Sequence, residues 1–370
     1  MRWRSFKSFL LTLMICGSGL AEDVRVTGAP ATPDFLKSVL QAEGWNHWPA
    51  RSLAPGESWK SPSGDRVINL DWVPPEPIIV ALSDHPEKVE RRGGLFFGGL
   101  TPYRTLLFQY YHLGKLVGAA PHLTLVVQNS GSEPAVIHLQ QGIGNTSLDY
   151  FSSGHTNNVR WFAAVRDNLG VFKTIPPGQT VELFHQPLPL EQVVSGTLGL
   201  TQTRGAPLSF ALVARPNLTE QLSLNNLLKQ EDVHSRGFYP VPEQWVRRHY
   251  SPGQDPLHIA IGAVRQQTFS GVRELRGDYG VTYRADLTLS NPGSSSRQVE
   301  LVFVHRGGAA TGTFTVNGEI VEVPIVKAFE ERVFFRTELP PHSTRDLVLK
   351  TIPEGASSYP VRIVVREGKS

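Results

Sequence analysis

The stretch GIGNTSLDYFSSGH (142–155) gathers the side chains best suited to chemistry, Asn145, Asp149, Tyr150 and His155, in a setting too polar and glycine-rich for a core strand. It reads as a loop, and loops displayed by a rigid scaffold are where binding residues concentrate. Upstream, YYH (110–112) places Tyr111 and His112 on a strand. If the loop folds over that strand, a carboxylate, two imidazoles and tyrosines share a small pocket. Such a set suits a sugar, through stacking and bidentate hydrogen bonds, or a weakly held divalent ion. The competing expectation is a structural loop pinned by its own aromatics, with Asp149 capping a turn.

Other chemistry finds little support. The chain has no HExxH, no His-x-His, no EF-hand spacing and no G-x-S-x-G elbow. His138, between Ile137 and Leu139, is expected on a solvent face, and His185 ends a strand. We therefore expect no metal site, no cofactor and no catalytic residue. Trp45, Trp48, Trp59 and Trp72 cluster near the N-terminus and are expected to staple an irregular segment, with a sugar-stacking platform as the alternative.

The chain opens MRWRSFK, continues with an apolar run over 9–15, and reaches small residues ending at Ala21 before its first acids. This is the pattern of an export signal over 1–21, too short to span a bilayer. The alternative is a lipid anchor on Cys16, the one cysteine of the sequence. Removing Arg2, Arg4 and Lys7 takes the formal charge from +3 to zero. A neutral mature chain lacks the basic field that nucleic-acid binding needs, so that partner class is excluded. Without Cys16 it has no thiolate nucleophile, no disulfide and no Cys-ligated zinc.

The elements that must position the candidates read as strands. Residues 22–77 hold a short helix, capped by Thr32 and carrying Phe35, Leu36, Val39 and Leu40, and then the Trp-rich irregular segment. Over 78–215, β-rich runs alternate with turns: 77–82, 104–112, 122–128, 135–140, 159–165, 180–184 and 209–214. Residues 216–256 read as a linker with one helix candidate, Thr219 capping and Leu224, Leu227 and Leu228 facing inward. In 257–367, VTYRADLTLS (281–290) alternates strictly, the mark of a half-buried strand. Asn317-Gly318 between GTFTV and EIVEV predicts a type I′ hairpin. The fold class is all-β: two antiparallel Ig-like or jelly-roll-type sandwiches, with a short N-terminal helix and a partly helical linker.

The two sandwiches look duplicated. NSGSEPAVIHL (129–139) lies on NPGSSSRQVEL (291–301), and IPPGQTVELFHQPLP (175–189) on LPPHSTRDLVLKTIP (339–353), in the same order at nearly the same spacing. LSDHPEKVERRGGLFFGGLTPYRTLLFQYYHLGK (82–115) with GIGNTSLDYFSSGH, and GDYGVTYRADLTLSN (277–291) with GTFTVNG, LPPHSTRDLVL and YPVRIVV, resemble an uncharacterised family of secreted bacterial surface proteins. The resemblance covers roughly 78–367 and implies a tandem β-sandwich surface module. The chain departs from the family pattern at Leu113-Gly114-Lys115, after YYH.

The expected function is an exported, non-catalytic cell-envelope protein, structural, adhesive or ligand-binding through loops of the first sandwich. Its partner would be an envelope component or a polysaccharide, and the mature chain would carry no transmembrane helix. The alternative is a carbohydrate-active or metal-assisted hydrolase using Asp149, His155 and His112, which requires those side chains to converge on a common point.

Overall fold

The computed structural model describes residues 58–60, 66–69, 74, 76–118, 121–217, 219, 226–229, 234–269, 274–305 and 307–368. The expected helix after Thr32, the inward leucine at 224 and the side chains of the clustered tryptophans lie outside the described residues.

Strands dominate, and they stack as two sandwiches. In the first, one sheet runs Ser58–Lys60, Arg66–Asn69, Leu169–Ile175, Ala135–Ile143, Val193–Arg204, Thr105–Gly114, Pro77–Ser83 and Arg236–Tyr239, with Lys88–Val89 beside Thr105–Gly114. Its facing sheet runs Thr180–Pro187, His122–Gln128, Leu208–Arg215 and Gly93–Leu100. In the second, Glu243–Tyr250, Thr282–Asn291, Ser343–Thr351, Ala310–Val316 and Glu319–Val326 face Leu257–Ile261, Val361–Glu367, Arg297–Val304 and Glu331–Leu339. Most neighbours are antiparallel. Thr105–Gly114 pairs in parallel with Pro77–Ser83 and Lys88–Val89, and Glu243–Tyr250 does so with Thr282–Asn291.

The first core is aromatic at its centre, where the ring of Phe96 lies 5.1 Å from Phe108 and 5.7 Å from Phe210. The second core, built on Leu287, Leu301, Phe303 and Phe314, does not stop at its own sandwich. Val80, Leu82, Leu107, Trp161 and Phe162 of the first sandwich belong to the same cluster. Burying that shared apolar surface joins the two bodies.

The strict alternation over 281–290 holds: Val281, Tyr283, Ala285, Leu287 and Leu289 are buried, and the residues between them are half-exposed. Asn317 and Gly318 take φ values of 51° and 89° at a two-residue connection where Val316 pairs with Glu319, as the type I′ turn requires.

Four expectations are corrected. Residues 142–155 are not one loop: Gly142 and Ile143 end a strand, and a 17-residue helix, α1 (Tyr150–Arg166), begins at Tyr150. The run 159–165, read as a strand from its β-branched and aromatic residues, is the second half of that helix. Every residue from Ser152 to Ala164 is buried, so this stretch of α1 has no solvent face to write a 3.6-residue polar stripe into its sequence. The expected linker 216–256 contributes strands to both bodies, Arg236–Tyr239 to the first and Glu243–Tyr250 to the second. Leu227 there forms a bridge with Gly94, not a helix. His138, expected on a solvent face, is fully buried under the Phe172 ring at 5.0 Å, and burial lowers its pKa to about 4.

The sandwiches also repeat one wiring. In the first, Leu169–Ile175, Ala135–Ile143, Val193–Arg204 and Thr105–Gly114 lie side by side; in the second, Glu331–Leu339, Arg297–Val304, Val361–Glu367 and Leu257–Ile261 do. Each half carries one buried asparagine with the same bonds. The Asn129 amide donates to the carbonyls of Glu133 and Ile175, at 2.7 and 3.0 Å, and its Oδ1 accepts from the Gly131 amide. That of Asn291 donates to the carbonyls of Ser295 and Leu339, both at 2.9 Å, and its Oδ1 accepts from the Gly293 amide. Ile175 and Leu339 each precede a Pro-Pro pair.

Candidate functional site: the seam around helix α1

Helix α1 is a poor helix by propensity, with Ser152, Ser153, Gly154, His155, Thr156, Asn157 and Asn158 in its first half. Its start is set by Asp149, whose carboxylate accepts from the amides of Phe151 at 3.1 Å and Ser152 at 3.4 Å. Its position is set by missing side chains. A Cβ on Gly142 would sit 2.4 Å from the Trp161 amide nitrogen. One on Gly154 would sit 2.1 Å from the Gly355 carbonyl oxygen, in the second sandwich. The glycines that suggested a loop are the contact points at which a helix backbone is pressed between two sheets.

His155 stands at the centre of that wedge. Its Nδ1 donates to Glu354 Oε2 at 3.1 Å and its Nε2 donates to Glu322 Oε2 at 3.0 Å. Two donating nitrogens define an imidazolium. Glu354 is 0 % exposed and also accepts from the hydroxyls of Thr311 and Thr313. Burial alone would depress the imidazole pKa, but the Glu354 charge and the bonds to both carboxylates outweigh it and raise the value to about 10. This is a buried ion pair between residues 199 positions apart in the chain. Beside it, the Asn158 amide donates to the Ile352 carbonyl at 2.7 Å.

The other candidates disperse. Tyr111 and His112 are strand neighbours and point to opposite faces. Tyr111 lies against Gly355 in the second sandwich, and its hydroxyl pKa is raised by burial and by the charges of Glu87 and Asp84. His112 turns to the Phe108 and Tyr110 side, where its Nδ1 donates to the Pro86 carbonyl at 2.9 Å and its Nε2 meets the Ser83 hydroxyl at 3.1 Å. Asn145 accepts from the Arg160 guanidinium at 2.6 Å. Asp149 caps the helix. Tyr150, 42 % exposed, is the candidate that faces solvent, beside the more exposed Leu148. His155 is the one candidate in an ion cluster, and its partners Glu322 and Glu354 come from strands and turns that no spacing in the sequence links to it.

Among the described residues no group of three or more His, Cys, Asp or Glu is placed to hold a metal ion, and no helix is long and apolar enough to cross a membrane.

No family model matches the chain, and no curated protein matches it. Among solved structures it has a likeness to Lac15 from a marine microbial metagenome, 13% identical over 70% of this chain and 52% of that one, TM-score 0.12. It has another to the CBM22-1–CBM22-2 tandem domain of Paenibacillus barcinonensis Xyn10C, 10% identical over 71% and 75%, TM-score 0.15. A third is to the PBSX exported protein XepA, 9% identical over 85% and 95%, TM-score 0.16. The chain spans about half the length of the first of these. Likenesses of this size carry no argument about what this chain does.

Proposed function

We propose that this chain is an exported, non-catalytic cell-envelope protein whose two sandwiches arose by duplication and act as one rigid body that binds another surface component. One observation carries it: the residues best suited to chemistry hold the molecule together. His155 pairs with Glu354 and Glu322 across the seam, Asp149 caps α1, and Asn145 anchors Arg160. The duplication is supported by the shared strand order and by the matching bonds of Asn129 and Asn291. Export is supported by the charged, apolar and small-residue sequence of 1–21. On the first sandwich, the exposed pair Leu148 and Tyr150 at the mouth of α1 is the part of the 142–155 segment available to a partner. The hydrolase alternative gains nothing from the geometry, because His112 and His155 bond to separate sets of partners.

Fractionation of cells producing the tagged full chain tests the proposal. It should be recovered outside the cytoplasm with Glu22 as its first residue. Cytosolic protein retaining residues 1–21 would sink the proposal, as would glycan hydrolysis by the purified protein that is lost on Asp149→Ala.

A further inference from the structure

The outer face of the second sandwich carries an exposed tryptophan. On the edge strand Glu243–Tyr250, Trp245 is 58 % exposed, although tryptophan is mostly buried in folded proteins. Its ring is held in place. The indole Nε1 donates to Asp286 Oδ2 at 3.1 Å, and the Arg247 guanidinium carbon sits 5.3 Å from the ring centroid. Asp286 is held in turn by Arg284, whose Nε donates to Oδ1 at 2.8 Å.

The strand register sets out what surrounds the ring. Across three neighbouring strands the outward positions form rungs: Trp245, Arg284 and Lys350; then Arg247, Asp286 and Val348; then His249, Thr288 and Asp346. The first and last rungs are roughly 13 Å apart at the usual rise of a strand. The far end carries hydroxyls and an imidazole: Thr288 donates to Asp346 at 2.8 Å, and His249 Nε2 meets the Ser290 hydroxyl at 3.0 Å. On the central strand Thr282–Asn291 the apolar side chains, Tyr283, Ala285, Leu287 and Leu289, all turn inward.

We propose that this face binds a neutral polysaccharide, a sugar ring stacking on Trp245 while its hydroxyls bond to the side chains of Arg284, Asp286, Thr288, Asp346 and His249. Three features point to that occupant. A sugar offers apolar C–H groups on its ring faces and hydroxyls at its rim, and the surface offers one fixed aromatic ring amid donors and acceptors. The cations Arg247, Arg284 and Lys350 are offset by Asp286, Asp346 and Glu243, so the face has no net charge to draw an anionic polymer. A protein partner would be met by an apolar patch, and apart from Trp245 these rungs offer Val348 alone. The inference deepens the surface-binding role proposed above and rests on it for its biological sense.

The test is independent of where the chain is sent. Purified full chain is titrated with cellohexaose, laminarihexaose, mannohexaose and chitohexaose by calorimetry, with heparin as an anionic counter-probe. At least one neutral hexasaccharide should bind, Trp245→Ala should weaken it about tenfold, and Trp245→Phe should retain most of the affinity, since a ring face remains. Circular dichroism checks that both variants are folded. Failure of all four sugars to bind at millimolar concentration would overturn the proposal. So would unchanged binding by folded Trp245→Ala, binding of heparin alone, or a dimer of the unliganded protein that Trp245→Ala dissociates, which would make a second copy the occupant. A cytosolic location would refute export and leave this result standing.

Discussion

The same slot in the two sandwiches is filled in two ways. Between Ala135–Ile143 and Leu169–Ile175 the first inserts helix α1; between Arg297–Val304 and Glu331–Leu339 the second inserts the hairpin of Ala310–Val316 and Glu319–Val326. The two insertions pack on each other, with Thr313 and Glu322 of the hairpin against His155 of the helix. The hairpin forms by local rules, since its turn dipeptide takes the required positive φ values and its strands extend an existing sheet. The helix has no such support. It lacks propensity and an amphipathic stripe, and its capping carboxylate holds only its first turn. Its stability comes from the surfaces on either side, which must supply partners for buried polar groups as well as apolar contact.

That contrast can be broken at its centre. Glu354→Ala leaves the His155 charge buried with one partner, Glu322, at the rim, and should lower stability by about 3–5 kcal/mol in urea unfolding. Loss of less than 1 kcal/mol would mean that the ion pair does not join the sandwiches. A smaller effect tests the likeness between the halves. Asn129→Ala and Asn291→Ala each strip partners from buried carbonyls and should each lower stability by about 1–3 kcal/mol, by similar amounts. A large cost at one and none at the other would argue against equivalent turns.

A third probe, which needs no substitution, is pH. The folded pKa of His155, about 10, lies above the ordinary value of 6.5, so its contribution is fully present below about 6.5 and is lost as pH rises toward 10. Stability should fall between those values by at most about 1.4 kcal/mol per pH unit from this group. His155→Gln should lack that slope, and an identical slope in both proteins would remove His155 as its source.

How much was legible depended on how local the cause was. The strand at 281–290 and the turn at Asn317-Gly318 follow from period-two burial and positive φ, which neighbouring residues reveal. Strands with internal glycines, Gly93–Leu100 and Val193–Arg204, did not stand out, because glycine reads as a breaker. Their glycines answer to distant atoms: a Cβ on Gly196 would lie 2.4 Å from the Tyr110 ring. The candidate site was half visible. Asp149, a ligand candidate with a turn cap as its competing expectation, caps a helix, and the sequence points to His155 but not to its partners. Trp245 lies on a run whose sequence reads as linker, so nothing local marks it as an outward strand position.

The order of residues by itself determined that this is an all-β chain of two sandwiches, because alternation, turn dipeptides and twice-matched blocks are properties of adjacent positions. Only the tertiary structure decided that 150–166 is a helix and that His155 is a buried cation. Both depend on Gly142, Glu322 and Glu354, brought together by packing two sheets against one segment. A helix enclosed on every side leaves no periodic trace in its own sequence, and an ion pair 199 residues apart leaves none in its spacing.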